Sequence, residues 1–213
     1  MCPTIIADVH EKIPLSCSKL AEYEINTIVD AKIIENFGPN QLSVRFSLME
    51  GEHCGAVSVE IIQEKSLPYP IGNVDFQKLS DSGTCLEKGA QIKSAYFIQD
   101  FRGLGLGITA YELIAKHYLL VSDTIQTHDG STFWKFKLGD HDSLEVHIVY
   151  LPKSGIPYKM VDRNGKPEIY HYTREELEPK IWGLESPDAV HQFINASSED
   201  TRSNVVLTAT FRK

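Results

Sequence analysis

Two neighbouring segments near position 50 alternate between apolar and polar side chains. Every second residue is apolar from Leu42 to Leu48 and again from Val57 to Ile61, with a glycine-containing turn between the two runs. A period of two residues is typical of strands with one buried face, so the segments predict an antiparallel hairpin. Residues 18–38, just before it, carry apolar residues at both helical and strand spacing, and both assignments stay open there.

The pattern changes in the middle of the chain. The sequence AQIKSAYFIQ predicts a strand, and it leads into the alternating glycines of RGLGLG. From Thr109 to Tyr118 the apolar residues recur every three or four positions, which predicts an amphipathic helix packed on a sheet. The apolar run YLLVSD that follows is typical of a buried strand, and we expect it to be parallel. The order is therefore strand, glycine-rich turn, helix, strand.

The remaining segments predict further strands and connections. Residues 67–83 carry prolines and glycines and predict a connecting loop. After a short helical segment at residues 130–138, the sequence SLEVHIVYLP predicts a strand, and residues 157–172 predict a hairpin that turns at Arg163-Asn164-Gly165. A charged helix at residues 174–183 and a strand at residues 204–213 complete the prediction.

Composition limits the class of protein. The chain has 213 residues, 42% of them hydrophobic and 23% charged, which fits one domain of ordinary core size or one domain with an appendage. The formal net charge of −8 argues against a sequence-independent nucleic-acid binder, which needs a stripe of Lys and Arg. An anionic ligand would therefore have to be bound by local donors.

The four cysteines lie far apart, and the start MCPTIIADVHEK lacks a basic segment followed by an apolar core. We therefore expect no signal peptide and a cytoplasmic location. The longest apolar runs, such as Tyr118 to Val121, are too short to span a bilayer. The histidines at positions 141, 147 and 171 lack metal-ligand spacing, so we assign no metal.

Glycines between a strand and a helix let backbone N–H groups approach a ligand, and the helix start favours negative charge, so pyrophosphate suits the RGLGLG turn. Such turns also serve to pack a helix against a strand. Gly105, Gly107 and Ala110 fit a variant of the dinucleotide fingerprint, with Asp123 near the position of a ribose-binding acid. The flanking segments predict hairpins, however, where a dinucleotide-binding domain needs further strand-helix-strand units.

The sequence QDFRGLGLG resembles the acyl-CoA-binding motif of the GNAT superfamily of N-acetyltransferases. The family pattern, Gln/Arg-x-x-Gly-x-Gly/Ala, is met by Arg102, Gly105 and Gly107, and Gly103 and Leu106 match common choices between them. The order of the surrounding elements is also similar over roughly residues 40 to 150. The sequence LLVSDTIQTHDGSTFW looks like GNAT-like domains that bacteriophages encode.

The resemblance implies a mixed α/β fold. Residues 1–139 would form a GNAT-like acetyl-CoA-binding domain with an N-terminal extension. Residues 140–213 would form a β-rich C-terminal extension of strands and a short helix, packed on the same domain.

The resemblance also implies a cofactor site. Three residues at the end of the strand before the motif would line the pantetheine arm and the thioester: Phe97, Ile98 and Gln99. The motif and the helix start would hold the pyrophosphate of acetyl-CoA through main-chain donors, from Arg102 through Gly103, Leu104, Gly105, Leu106 and Gly107 to Ile108.

The proton-transfer positions of the family are replaced in this chain. Its glutamate base aligns with Gln91, its tyrosine acid with Trp134, and a frequent asparagine with Thr127. Neither an amide nor an indole exchanges protons usefully at neutral pH.

Three nearby residues offer substitutes for proton transfer: Tyr96, Asp123 and His128. We predict His128 as the base, because a neutral imidazole can take a proton from an ammonium. A His-Asp pair in a loop is also often solvated, and Asp129 before Gly130 fits a helix cap.

The expected function is acetyl transfer from acetyl-CoA to an amine of a small molecule or a protein, with no nucleic-acid or membrane partner. The alternative is a catalytically silent GNAT fold, such as a viral protein that binds a host factor. The intact motif favours the enzyme, and Gln91 and Trp134 favour the binding protein.

Overall fold

The computed structural model describes residues 4–6, 27–122, 125–152, 155–175, 181 and 205–212. The chain divides into two compact units. One, here called the meander unit, comprises Lys12–Leu79 and Ala90–Tyr118. The other, here called the C-terminal unit, comprises Met1–Glu11, Ser80–Gly89 and Leu119–Lys213. The fold class is α/β as predicted, and strands dominate it.

The meander unit contains five consecutive strands, each paired antiparallel with the next: β2 (Thr27–Phe37), β3 (Leu42–Glu50), β4 (Cys54–Ile62), β5 (Tyr69–Lys78) and β6 (Gly89–Phe97). The predicted hairpin is confirmed as β3 and β4, with Phe46 opposite Val59. Of the ambiguous segment, residues 27–37 form strand β2, and residues 18–26 lie outside the described residues.

One face of this sheet forms the core of the unit. Val44, Phe46 and Val59 are completely buried on it, and helix α1 (Leu106–Ala115) contacts strands β2 to β5. Lys32, opposite Phe46 in the β2–β3 ladder, pairs with Glu112 of the helix at 3.6 Å, so α1 lies on the Phe46 face. The predicted amphipathic helix is thus present.

The helix begins at Leu106, three residues before the predicted start. Gly105 is its N-cap, so the last glycine of the motif already belongs to the first turn. The apolar spacing that predicted a start at Thr109 depends on side chains, and Gly107 contributes none to that pattern.

The prediction of a loop at residues 67–83 is wrong, because it contains β5. Pro70 is the second residue of this strand and lies at a ladder irregularity between Val59 and Glu60, where a missing N–H is tolerated. Beyond it, the buried residues Val74 and Phe76 alternate with polar ones as a half-buried strand requires.

Four strands of the C-terminal unit pair antiparallel in the order β10 (Tyr158–Lys159), β9 (Leu144–Tyr150), β11 (Val205–Phe211) and β7 (Leu119–Val121). The short strands β1 (Thr4–Ile6) and β8 (Ile125–Thr127) pair parallel. Helix α2 (His128–Phe133) runs into a π-helix at Trp134–Leu138.

Several predictions for this unit can be compared with the structure. The strands at residues 143–152 and 204–213 are confirmed as β9 and β11, and the predicted hairpin turns at Gly165, which has φ 75°. The predicted strand at residues 118–123 is present as β7, whose partner within this unit, β11, is antiparallel. The predicted helix at residues 174–183 lies mostly outside the described residues.

Candidate functional site

The predicted cofactor motif lies between β6 and α1. The strand ends at Phe97, a 3-10 turn occupies Gln99–Phe101, and the chain then reaches the helix through Gly103 and Gly105. Both glycines have left-handed backbone angles, with φ 75° and 84°, which side-chain-bearing residues adopt only with strain. The turn between strand and helix therefore requires glycine at these two positions.

Close packing does not explain these glycines. A Cβ atom added at Gly103 or Gly105 would meet nothing within 4 Å, so the space beside the loop is open. Residues 102–105 are exposed, and the chain is buried again at Leu106, which is 2% exposed. The interpretation that these two glycines serve to pack the helix against the strand is thus not supported by their surroundings.

The backbone of the loop presents a series of donors. Thr109 N–H donates to the Gly105 carbonyl at 3.2 Å and closes the first helical turn. Within the described part of the chain, the six preceding N–H groups, from Gly103 to Ile108, have no acceptor. The first turn of α1 also lacks an acidic side chain, so no carboxylate of that turn competes for these donors. Open space and six consecutive donors can accommodate an anion.

The side chain of Arg102 turns back toward the strand. Its Nε donates to the Phe97 carbonyl at 2.8 Å, and its guanidinium carbon lies 5.8 Å from the centre of the Tyr96 ring. Because the side chain is anchored through Nε alone, its two terminal nitrogens make no hydrogen bond with any described residue. These nitrogens are suited to phosphate oxygens.

The end of β6 is arranged around a glycine of the neighbouring strand. Phe97 lies opposite Gly72, and Ile98 N–H donates to the Ile71 carbonyl at 2.9 Å. In an antiparallel ladder this bond places the backbone groups of Phe97 on the edge away from β5. A Cβ at Gly72 would lie 2.6 Å from Cε1 of the Phe97 ring, so the absence of a side chain makes room for that ring.

The three residues predicted to line the pantetheine arm lie in sequence at this position. Phe97 and Ile98 are half-buried, and Gln99 is exposed. All three of their carbonyls accept hydrogen bonds. Phe97 accepts from Arg102 Nε at 2.8 Å, Ile98 from the Phe101 N–H at 2.9 Å, and Gln99 from the Arg102 N–H at 3.2 Å.

A polar cluster on β5 and β6 was missed by the sequence analysis. Asn73 lies opposite Tyr96, and Asp75 lies opposite Ser94. The Asp75 carboxylate accepts hydrogen bonds from Ser94 Oγ at 2.7 Å and from Asn73 Nδ2 at 3.0 Å. The signal was the alternation of these polar residues with Val74 and Phe76, which the loop prediction for residues 67–83 concealed.

Strand β6 is irregular beside this cluster. The ladder shifts register between Asp75 and Phe76, whose partners Ser94 and Ile92 leave Lys93 as an extra residue. A bulge of this kind bends a strand and changes the direction of its side chains, and bulges are frequent next to functional sites.

The structure describes the side chain of one of the three predicted proton-transfer residues. Tyr96 is half-buried on β6 beside Arg102. Asp123 lies outside the described residues, and so does the side chain of His128, whose backbone opens α2. Of the three, Tyr96 is the one whose side chain the structure describes, and it lies beside the motif.

The replaced family positions can also be located. The Gln91 side-chain oxygen accepts a hydrogen bond from Lys93 Nζ at 2.8 Å. Trp134 is 3% exposed at the start of the π-helix. The side chain of Thr127 lies outside the described residues. Buried as it is, the indole of Trp134 has no access to a substrate in solution.

Other chemistries have little support among the described residues. No group of three or more His, Cys, Asp or Glu side chains there could hold a metal ion. Burial raises the pKa of the Cys54 and Cys85 thiols, which disfavours the thiolate that a cysteine nucleophile needs. Within the same ranges, no helix combines the length and apolar character that crossing a membrane requires.

Comparison of the chain with models of known protein families, with curated proteins and with solved structures gave no match.

Proposed function

We propose that the chain is a GNAT-like N-acetyltransferase that binds acetyl-CoA at residues 102–108 and transfers the acetyl group to an amine. One observation carries this proposal: six consecutive backbone N–H groups that find no acceptor among the described residues follow Arg102 and lead into a helix N-terminus. Oriented donors of this kind bind phosphate groups even in an acidic protein. They match the motif that the sequence shares with the family.

The other elements of the proposal follow from the position of the motif. With the pyrophosphate at Gly103–Ile108, the pantetheine arm extends along Phe97, Ile98 and Gln99, which directly precede the loop. The amine nitrogen attacks the thioester carbonyl carbon, forming the C–N bond as the C–S bond breaks. Starting from a primary ammonium, the nitrogen gives up two of its three protons and keeps one in the amide. One of the two goes to the departing sulfur, so that CoA leaves as the thiol, and the other goes through the base to solvent.

Tyr96 is our candidate proton donor to the departing sulfur, because it lies on the strand that the arm follows and beside Arg102. The candidates for the base that accepts the proton of the amine are Asp123 and His128, as the sequence predicts. The acceptor is an amine of a small molecule or a protein, and the proposed location is the cytoplasm.

A second candidate function is a catalytically silent GNAT fold that binds a partner protein, such as a host factor bound by a viral protein. The burial of Trp134 favours it, because an indole enclosed in the π-helix region cannot replace the tyrosine acid of the family. The hydrogen bond between Gln91 and Lys93 is likewise compatible with a structural role for Gln91.

Calorimetric titration with acetyl-CoA, and separately with NAD, tests the cofactor. We expect acetyl-CoA to bind and NAD not to bind, and Gly105→Val to abolish binding, because a side chain at this left-handed position strains the turn and enters the open space. Gly38→Val is the matched control, since Gly38 also has a left-handed φ, 66°, with nothing within 4 Å of a Cβ.

Three results would change the conclusion. Binding of NAD without acetyl-CoA would favour the dinucleotide interpretation, and binding of neither would make the glycines structural. Binding of acetyl-CoA without release of free CoA thiol in the presence of a broad panel of amines would favour the silent binding protein.

A further inference from the structure

Four acidic side chains of strands β2 to β6 are half-buried: Asp30, Glu50, Glu60 and Asp75. Three of them have a basic partner. Asp30 lies 2.9 Å from His117 Nε2, Glu50 lies 2.7 Å from Lys78 Nζ, and Glu60 lies 2.7 Å from Arg45. No basic side chain of the described residues pairs with Asp75. A partly buried carboxylate without a cation is costly, which makes Asp75 the exception in this sheet.

Neutral donors hold the Asp75 carboxylate in place. Ser94 Oγ donates to one oxygen at 2.7 Å, and Asn73 Nδ2 lies 3.0 Å from each oxygen. A carboxylate can accept about four hydrogen bonds, so acceptor capacity remains for a ligand. The donors fix the orientation of the group without cancelling its charge.

The cluster lies on the side of the sheet away from α1. Val74, between Asn73 and Asp75, is completely buried on the helix-covered face, and successive side chains of a strand point to opposite faces. Asn73, Asp75, Ser94 and Tyr96 therefore share the other face, where all four are half-buried.

The cluster also adjoins the cofactor motif. Tyr96 is the residue opposite Asn73, and the Arg102 guanidinium lies 5.8 Å from the Tyr96 ring. The same strand, β6, thus carries Ser94 and Tyr96 of the cluster and ends at Phe97, where the proposed thioester site begins.

We propose that Asp75 binds the ammonium group of the acceptor, so that the enzyme takes a cationic primary amine. This inference rests on the proposed function, because it assigns the acceptor side of the same site. An ammonium would supply the opposite charge that no described residue supplies to Asp75, and one of its N–H groups would donate to the acceptor position that Ser94 and Asn73 leave free on the carboxylate. Asp75 is then a residue that determines acceptor specificity.

The test compares two probes of equal length that differ in charge, 1,6-diaminohexane and 1,6-hexanediol. Each is titrated calorimetrically into the full chain with and without CoA, which lacks an acetyl group and prevents turnover. We expect the diamine to bind at least about tenfold more tightly than the diol, a difference of about 1.4 kcal/mol. Asp75→Asn, which keeps the shape of the side chain, should remove this difference and leave the affinity for acetyl-CoA within about twofold.

Two further variants complete the design. Glu35→Gln removes the same charge from an exposed position of the same sheet and should bind both probes as the unmodified chain does. Asp75→Glu keeps the charge and should retain a preference for the diamine even if Asp75→Asn fails to fold.

The inference is wrong if the unmodified chain binds diamine and diol equally, or if Asp75→Asn keeps the preference. Either result with acetyl-CoA still bound leaves the proposed function intact. Absence of acetyl-CoA binding to the unmodified chain would instead contradict the proposed function. The titrations of the two probes without CoA would still test whether Asp75 binds an ammonium.

Discussion

His147 illustrates how one buried residue influences the stability of the C-terminal unit. Its side chain on β9 is largely buried, with Nε2 2.7 Å from the Glu145 carboxylate. Burial lowers the pKa of His147 below its ordinary value of 6.5, and nearby Lys159 lowers it further, although Glu145 opposes the change. The native chain therefore keeps this imidazole neutral at a pH where the unfolded chain protonates it.

We predict that the free energy of unfolding falls as the pH drops below 6.5. The unfolded state then binds a proton that native His147 does not, and one such proton changes the free energy of unfolding by up to about 1.4 kcal/mol per pH unit. Urea unfolding between pH 7.5 and 5 would measure the slope, and His147→Gln should reduce it.

The matched control is His53→Gln, because the His53 side chain is 82% exposed and stays in contact with water in the folded chain. The pKa values of Asp30 and Glu50 are lowered from ordinary values of 3.8 and 4.5, so these carboxylates affect the free energy of unfolding at lower pH. Between pH 7.5 and 5 they contribute little to the slope. An unchanged slope in His147→Gln would contradict the assignment.

At the scale of elements, the sequence predicted those strands and helices whose pattern depends on side chains alone. The β3–β4 hairpin and helix α1 follow directly from apolar periodicity. Strand β5 was not predicted, because Pro70 and Gly72 indicate a loop. In the structure β5 pairs on both sides: the proline lies at a ladder irregularity, and the glycine leaves room for the Phe97 ring.

The candidate site was likewise predictable only where its residues are neighbours in the sequence. The Arg102–Gly107 motif is local in sequence, so its position before a helix could be predicted, whereas the Asp75 cluster depends on strand register. Asp75 and Ser94 are 19 positions apart and meet only because β5 and β6 pair. Register depends on which face of each strand is buried and on the connection between the strands, and the loop prediction for residues 67–83 left β5 out of the sheet.

Two strand glycines allow a prediction that separates packing from binding. A Cβ at Gly72 would lie 2.6 Å from Cε1 of Phe97, and a Cβ at Gly55 would lie 2.8 Å from Cε1 of Phe76. Because each ring must shift, Gly72→Ala and Gly55→Ala should both destabilise the chain by about 1 to 3 kcal/mol, as measured by urea unfolding.

Only Gly72→Ala should weaken acetyl-CoA binding, because Phe97 belongs to the proposed thioester site and Phe76 does not. A displacement that costs about 1.4 kcal/mol in contacts with the ligand would raise the dissociation constant about tenfold. Equal affinities of the two variants in calorimetric titration would place Phe97 outside the site.

At the scale of the whole molecule, the proposed cofactor residues all belong to one compact unit. Residues 97–108 lie within the meander unit, whereas His128 and the replaced position Trp134 lie in the C-terminal unit. Cofactor binding can therefore be tested independently of His128, whereas Tyr96, the candidate proton donor, belongs to the same unit as the cofactor residues.

We predict that acetyl-CoA stabilises the folded chain and protects a defined segment from hydrogen exchange. A ligand that binds only the native state adds about 2.7 kcal/mol at 100 times its dissociation constant, which raises the unfolding temperature. Protection should concentrate at residues 103–108, whose N–H groups have no acceptor among the described residues and would exchange rapidly until phosphate oxygens accept from them. The amides of β9 and β11, already paired in their ladder, should change little.

Gly105→Val should lose both the stabilisation and the protection, while Gly38→Val should keep them. Stabilisation with protection confined to the C-terminal unit would contradict the assignment of residues 102–108, because the cofactor would then bind through donors outside the motif.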